Sequence, residues 1–232
     1  MSDSPVATAT HGLELRHHFV DEEQQRNTVT FGMWLFLVTE IMFFGGMFCA
    51  YLLYRTRHFN EFAAGSRSLS TWLGGVNTAV LLVSSWTMAM AVRSAQLGKK
   101  KLLCLFIALT MIFGATFLGV KAVEYHDKFV EHHVPGPDFN FIQEVKAGET
   151  PLPINQHTMQ MFFSVYFAMT GMHALHMVIG LGLMTYLLIK SARGAYSAKY
   201  YTPVEMSGLY WHFVDIVWIY LFPLLYLIDV HK

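Results

Sequence analysis

Charged residues are scarce: 14% of the 232 residues are Asp, Glu, Lys or Arg, while 54% are hydrophobic. Soluble domains carry roughly 25% charged residues, so the shortage points to a membrane protein before any segment is scored. The charges cancel to a formal net of zero, which gives a nucleic-acid partner no electrostatic support. Cysteine is limited to Cys49 and Cys104, both inside apolar runs. They read as small buried hydrophobes, not as a disulfide or metal site. The opening stretch, MSDSPVATATHGLELRHHFVDEEQQRN, has no apolar core, so it does not read as a secretory signal. Residues 1–29 read as a cytoplasmic N-terminal arm, partly disordered. No internal repeat is visible, and no segment alternates over ten residues as a membrane barrel would.

What is present is a set of long apolar runs. A helix needs about 20 apolar residues to cross the hydrocarbon, and lipid leaves the backbone no partner but itself, so helices are the expectation. Five runs reach or approach that length: 31–54, 72–92, 102–123, 159–189 and 208–228. The predicted fold is all-α, a polytopic bundle of five transmembrane helices spanning 30–232, with a loop over about 125–157 on the outer side. Lys and Arg bias sets orientation. Arg93, Lys99, Lys100 and Lys101 fall in one short loop, and Lys190, Arg193 and Lys199 in another on the same side. That places the N-terminus in the cytoplasm and the C-terminus outside, with basic residues split nine inside to seven outside. Gly46/Ala50 and Ala115/Gly119 offer small surfaces for close helix contact.

The informative residues are the few ionisable ones inside these runs. Glu40 is the only charged residue in 31–54, and an ionised group at the bilayer centre costs at least ~3 kcal/mol. His173 and His176 share a face of the fourth run at a spacing of three, as do His212 and Asp215 of the fifth. Glu124 and Glu205 sit near run ends. Together Glu40, His173, His176, His212 and Asp215 read as one internal polar cluster. Three functions compete for it. Imidazoles on facing helices could ligate haem or another metal. An intramembrane acid could belong to a proton path, although few titratable steps lead from Glu40 to either surface. Or the polar groups hold helices of an accessory protein in register, because breaking a buried pair is costly. The third reading is favoured.

Several strings resemble one family. GMWLFLVTEIMFFGGMF with Glu40, GGVNTAVLLVSSWTM with Asn77 and Thr78, KAVEYHDKF with Glu124 and Tyr125, TGMHALHMVIG with His173, His176 and Gly180, and VEMSGLYWHFVDIVWIYLF with Glu205, Trp211, His212, Asp215 and Trp218 occur in order. Together they resemble subunit III of haem-copper respiratory oxidases, in its five-helix bacterial form, from about Thr30 to Ile228. The resemblance implies a non-redox accessory subunit in the bacterial cytoplasmic membrane. Such a subunit holds no haem or copper of its own, those belonging to partner subunits. It lies beside oxidase subunit I and other oxidase subunits, stabilises subunit I and supports proton uptake. The resemblance also implies bound phospholipid, with Lys190 and Arg193 near a lipid phosphate, a contact between Glu40 and His176, and the possibility of a respiratory supercomplex. Mitochondrial-type members have seven helices and this chain lacks the first two, which places the family's lipid cleft in question. The corresponding subunit of a quinol oxidase, a nitric-oxide-reductase accessory protein and an independent proton-coupled transporter remain alternatives.

Overall fold

The computed structural model describes residues 19, 21–131, 133–137, 139–142 and 153–228. Most of the N-terminal arm, and His132 in the long loop, lie outside that set. Among the described residues there are six helices: α1 (Glu22–Arg57), α2 (Phe59–Arg67), α3 (Thr71–Gln96), α4 (Lys100–Val130), α5 (Gln156–Ala192) and α6 (Thr202–Tyr226). All but α2 are long and apolar enough to cross a membrane.

The helices outrun the apolar runs. α1 starts at Glu22, well before residue 31, because Asp21 caps it: its side chain accepts from the Gln24 amide at 2.6 Å. Glu22 and Glu23 then sit in the first turn, where the helix dipole favours acids. Hydropathy marks where a helix meets lipid, not where it ends. At about 1.5 Å per residue, the 36 residues of α1 are about 54 Å long, against a hydrocarbon core of about 30 Å. α4 likewise continues through Tyr125 to Val130, shortening the loop assigned to 125–157. The short α2 falls between two apolar runs and has no run of its own. It buries Phe62 to Ser66, with Phe62 edge-on to Tyr51 of α1 and to Phe162 of α5.

α3, α4, α5 and α6 form a ring in which each packs on the next and α6 closes on α3. α1 lies outside the ring against α6 and α5. Successive spanning helices alternate direction, so the starts of α1, α4 and α6 share one end, here the near end, with the last turns of α3 and α5. Two short turns at that end use Gly98 (φ 66°) and Gly194 (φ 78°), a left-handed conformation that suits glycine after a helix.

Trp211 of α6 is the centre of the ring. Its indole N–H donates to Ser84 Oγ of α3 at 3.0 Å, and its ring fills the space over Gly114 of α4 and Gly180 of α5. A Cβ at Gly114 would stand 2.7 Å from that ring, and one at Gly180 2.9 Å. Close helix contact is therefore made here. Gly46 and Gly119, expected to provide it, have nothing within 4 Å of a built Cβ, and Ala50 and Ala115 are exposed beside them. One full turn of spacing placed each pair on a common face, but spacing does not say which face meets a neighbour.

Candidate functional site

The polar residues inside the spans occupy separate places, not one cluster. At mid-depth, His176 of α5 reaches α1: its Nε2 lies 3.1 Å from Glu40 Oε2, while its Nδ1 is 2.8 Å from the Met172 carbonyl. The Met172 carbonyl can only accept, so Nδ1 carries the proton there. The neutral ring then presents Nε2 as an acceptor to a protonated Glu40, and the charged ring presents it as a donor to the carboxylate. Phe44 packs edge-on against the imidazole and Tyr210 stacks beside it. The expected pairing of Glu40 with His176 is present. Glu40 is not fully buried, however: its side chain keeps 21% exposure against 10% for His176.

That exposure opens onto a cleft between α1, α5 and α6. A cavity of about 450 Å³ is lined by Met33, Phe36, Glu40, His176, Ile179 and Tyr210 among others. It shares Leu183, Met206 and Ser207 with a second cavity of about 530 Å³ toward the near end, which bears Glu22, Glu23, Arg26 and Lys199 at its polar mouth. Lys190 and Arg193 are exposed at the end of α5 and line neither cavity; Lys190 lies over the Tyr186 ring instead.

His173 is about one turn from His176, but its ring turns toward the bundle interior. Three residues of helix turn a side chain by about 60° from its neighbour's direction, which here is enough to send it inward. Its ring meets Phe117 at 5.5 Å and Trp218 at 5.3 Å, and neither nitrogen has a hydrogen-bond partner among the described residues. The same offset separates His212 from Asp215. His212 Nδ1 is 2.7 Å from Ser85 Oγ of α3, at the edge of the α3–α6 seam. Asp215 turns into the interior, 2% exposed, with both oxygens lacking a partner at bonding distance; Ser85 is its polar neighbour. His212 and Asp215, three residues apart on α6, are therefore not paired with each other. The three histidines point to α1, to the core and to the α3–α6 seam, so they do not converge on a shared ligand position. Among the described residues no three His, Cys, Asp or Glu side chains come together as a metal set. Glu205 is half-buried in the first turn of α6, where an acid suits the helix dipole.

The strongest polar constellation is one the sequence reading passed over. Lys121 of α4 lies inside the bundle near the far end and donates to Glu124 Oε1 at 3.0 Å, to the Tyr226 phenol oxygen at 2.8 Å and to that of Tyr166 at 3.2 Å. The Tyr166 and Tyr226 hydroxyls both donate to the same carboxylate oxygen. The ammonium also sits 5.1–5.5 Å from the ring centroids of Tyr125, Tyr166, Trp218 and Tyr226, within the range of cation–π attraction. One ion pair thus ties α4, α5 and α6 together. Its signal was available: a lysine inside the run 102–123, three residues before an acid on the same helix face.

A sequence profile described as cytochrome c oxidase subunit III matches residues 136–230. The chain is 31% identical over 202 residues to a cytochrome c oxidase subunit 3 of Thermostichus vulcanus, covering 85% of this chain and 86% of that one. The chain belongs to the cytochrome c oxidase subunit III family. A Synechocystis cytochrome c oxidase subunit 3 is 34% identical over 199 residues, with 85% and 75% of the two chains covered. A Pseudomonas aeruginosa protein named cytochrome bo(3) ubiquinol oxidase subunit 3 is 31% identical over 201 residues, with 87% and 85% covered. The subunit III family thus includes relatives named for both electron donors. In this member, the strings that carried the resemblance end up on the contacts described above: the first and fourth supply Glu40 and His176, the third Glu124, and the fifth Trp211 and Trp218.

Proposed function

We propose that this chain is the non-redox subunit III of a respiratory haem-copper terminal oxidase that reduces oxygen to water in a bacterial cytoplasmic membrane. It packs beside subunit I, stabilises it and supports proton uptake there. Haem and copper belong to the partner subunits. Family membership carries this reading, and the geometry is consistent with it. The internal polar groups are used to join helices: Glu40 with His176 joins α1 to α5, and Lys121, Glu124, Tyr166 and Tyr226 join α4, α5 and α6. A proton carrier would need titratable steps linked across the bilayer; between these two groups His173 packs against Phe117 and Trp218 with no hydrogen-bond partner among the described residues, so no hydrogen-bonded chain joins them there.

Relatives named for cytochrome c and for quinol match at equal identity over similar shares of the chain, so the host complex takes its electrons from one of these two donors. A nitric-oxide-reductase accessory role and an independent transporter lack comparable support. The cleft between α1, α5 and α6 has an apolar wall, and at its mouth Arg26 and Lys199 stand with Glu22 and Glu23; the wall suits the acyl chain of a phospholipid. The test of the stabilising role is depletion. Oxidase purified without this chain should start at a normal rate and lose activity progressively over many turnovers, while the intact complex holds its rate. Equal persistence of the two preparations would rule out the protective role.

A further inference from the structure

The exposed hydroxyls on the membrane-spanning surface satisfy themselves. Thr39 donates to the Phe36 carbonyl at 2.6 Å, and Thr116, Ser164 and Thr185 donate to carbonyls one turn back at 2.8 Å each. Such side chains can face lipid, because no polar atom is left bare. His212 breaks this rule. It is half-exposed on the outer edge of the α3–α6 seam. Ser85 occupies Nδ1, and Nε2 has no partner among the described residues. Either tautomer leaves Nε2 needing a partner: as a donor if Ser85 gives its proton to Nδ1, and as an acceptor if Nδ1 gives its own.

The position makes that need acute. His212 lies about two residues from the middle of α6 (Thr202–Tyr226) and Ser85 about two from the middle of α3 (Thr71–Gln96), so both are within about 3 Å of mid-helix. An imidazole there cannot reach headgroups, and histidines within spans almost always face protein or an aqueous cavity. The two cavities on the cleft do not include His212. Around it the surface is apolar, with Leu82 52% and Ile216 50% exposed.

We infer that the α3–α6 face, centred on His212 and Ser85, is the surface on which a transmembrane helix of another oxidase subunit docks. That helix presents an apolar face with one hydrogen-bonding group at mid-depth, opposite His212 Nε2. The inference rests on the reading of the chain as an oxidase subunit, and it adds which face is covered. A lone lipid-facing histidine would leave a polar atom unpaired in hydrocarbon. A partner helix removes that cost and hides the apolar flanks as well.

Photo-crosslinking in the assembled complex tests the face. A benzoyl-phenylalanine probe replaces Ile216 or Leu82, and in control proteins Ile112 of α4, which is exposed on the helix across the ring from α6. The expected result is an adduct from Ile216 and Leu82 at the combined mass of this chain and a second oxidase subunit, and none from Ile112. Absence of that adduct from both α3–α6 positions overturns the inference, whatever Ile112 gives. An adduct from Ile112 alone would leave the oxidase assignment standing and move the interface. Failure of the chain to co-purify with any oxidase subunit would remove the assignment itself. His212→Leu should lower the fraction of complexes that keep this chain, and His212→Gln, which retains a hydrogen-bonding side chain, should restore part of it. Equal retention in His212→Leu and the unmodified protein counts against the proposed hydrogen bond.

Discussion

At the scale of single residues, the clearest test falls on Lys121. Its side chain and that of Glu124 are 5% and 7% exposed, so neither charge has water to turn to. Removing one partner of a buried pair costs about 3–5 kcal/mol, because the other charge is stranded. Lys121→Met should therefore lower the thermal stability of the solubilised protein sharply, and Glu124→Gln should do the same from the other side. The double replacement strands no charge, since the amide can still accept from Tyr166 and Tyr226, and should recover most of the loss. Thermal unfolding of the four proteins forms a double-mutant cycle. Independent, additive losses would show that the two groups are not a clamp. Which of these residues could be read from sequence depends on what each residue's surroundings reveal. The contact of Glu40 with His176 was legible from the family resemblance of the first and fourth strings, together with the cost of leaving a buried acid unpaired. Lys121 was passed over because it lies near a run's edge, where a lysine passes as an interfacial anchor. His212 and Asp215 share one side of a helix, but a separation of about 60° suffices to send one to the surface and one to the core, and a single sequence does not show where the neighbouring helices stand.

Among the helices, the close approaches are made under Trp211. The Trp211 ring is fully buried and held from α3 by the bond to Ser84, so it cannot swing aside to admit a larger neighbour. Overpacking of a core costs about 1–3 kcal/mol. Gly180→Val would place its Cβ at 2.9 Å from the indole and Gly114→Val at 2.7 Å. Both should force α5 or α4 outward and lower the midpoint of thermal unfolding. Gly119→Val, which meets nothing within 4 Å, should be close to neutral in the isolated chain. Equal behaviour of the three variants would contradict the ring packing. The five spans were legible from their apolar length, which lipid imposes directly. The caps and α2 were not. Asp21 lengthens α1 into the arm through one hydrogen bond, and α2 is held by Phe62 against Tyr51 and Phe162, contacts between positions far apart in the chain.

Across the whole molecule, the ends of the bundle differ in charge, and the structure sharpens that difference. Of the seven basic residues on the far side, Lys121 is enclosed and paired with Glu124. Lys128 is also buried, donating to Glu131 at 2.6 Å and to the Ser68 carbonyl at 3.1 Å. Neither acts as a free cation at the surface, so the near-side excess of basic charge is larger than the nine to seven of the sequence. Orientation follows the lysines and arginines near span ends, so the near end should face the cytoplasm. Two single-cysteine proteins, made after Cys49 and Cys104 are replaced by serine, can report this. A cysteine at Ser197, exposed in the turn between α5 and α6, should react with a membrane-impermeant maleimide in inverted vesicles and stay unlabelled in intact spheroplasts. One at Asp127, exposed in the last turns of α4, should show the opposite pattern. The reversed pattern would mean that the far-side acids, and not the near-side bases, govern insertion. It would also carry the charged mouth of the cleft, with Glu22, Glu23, Arg26 and Lys199, to the outer leaflet.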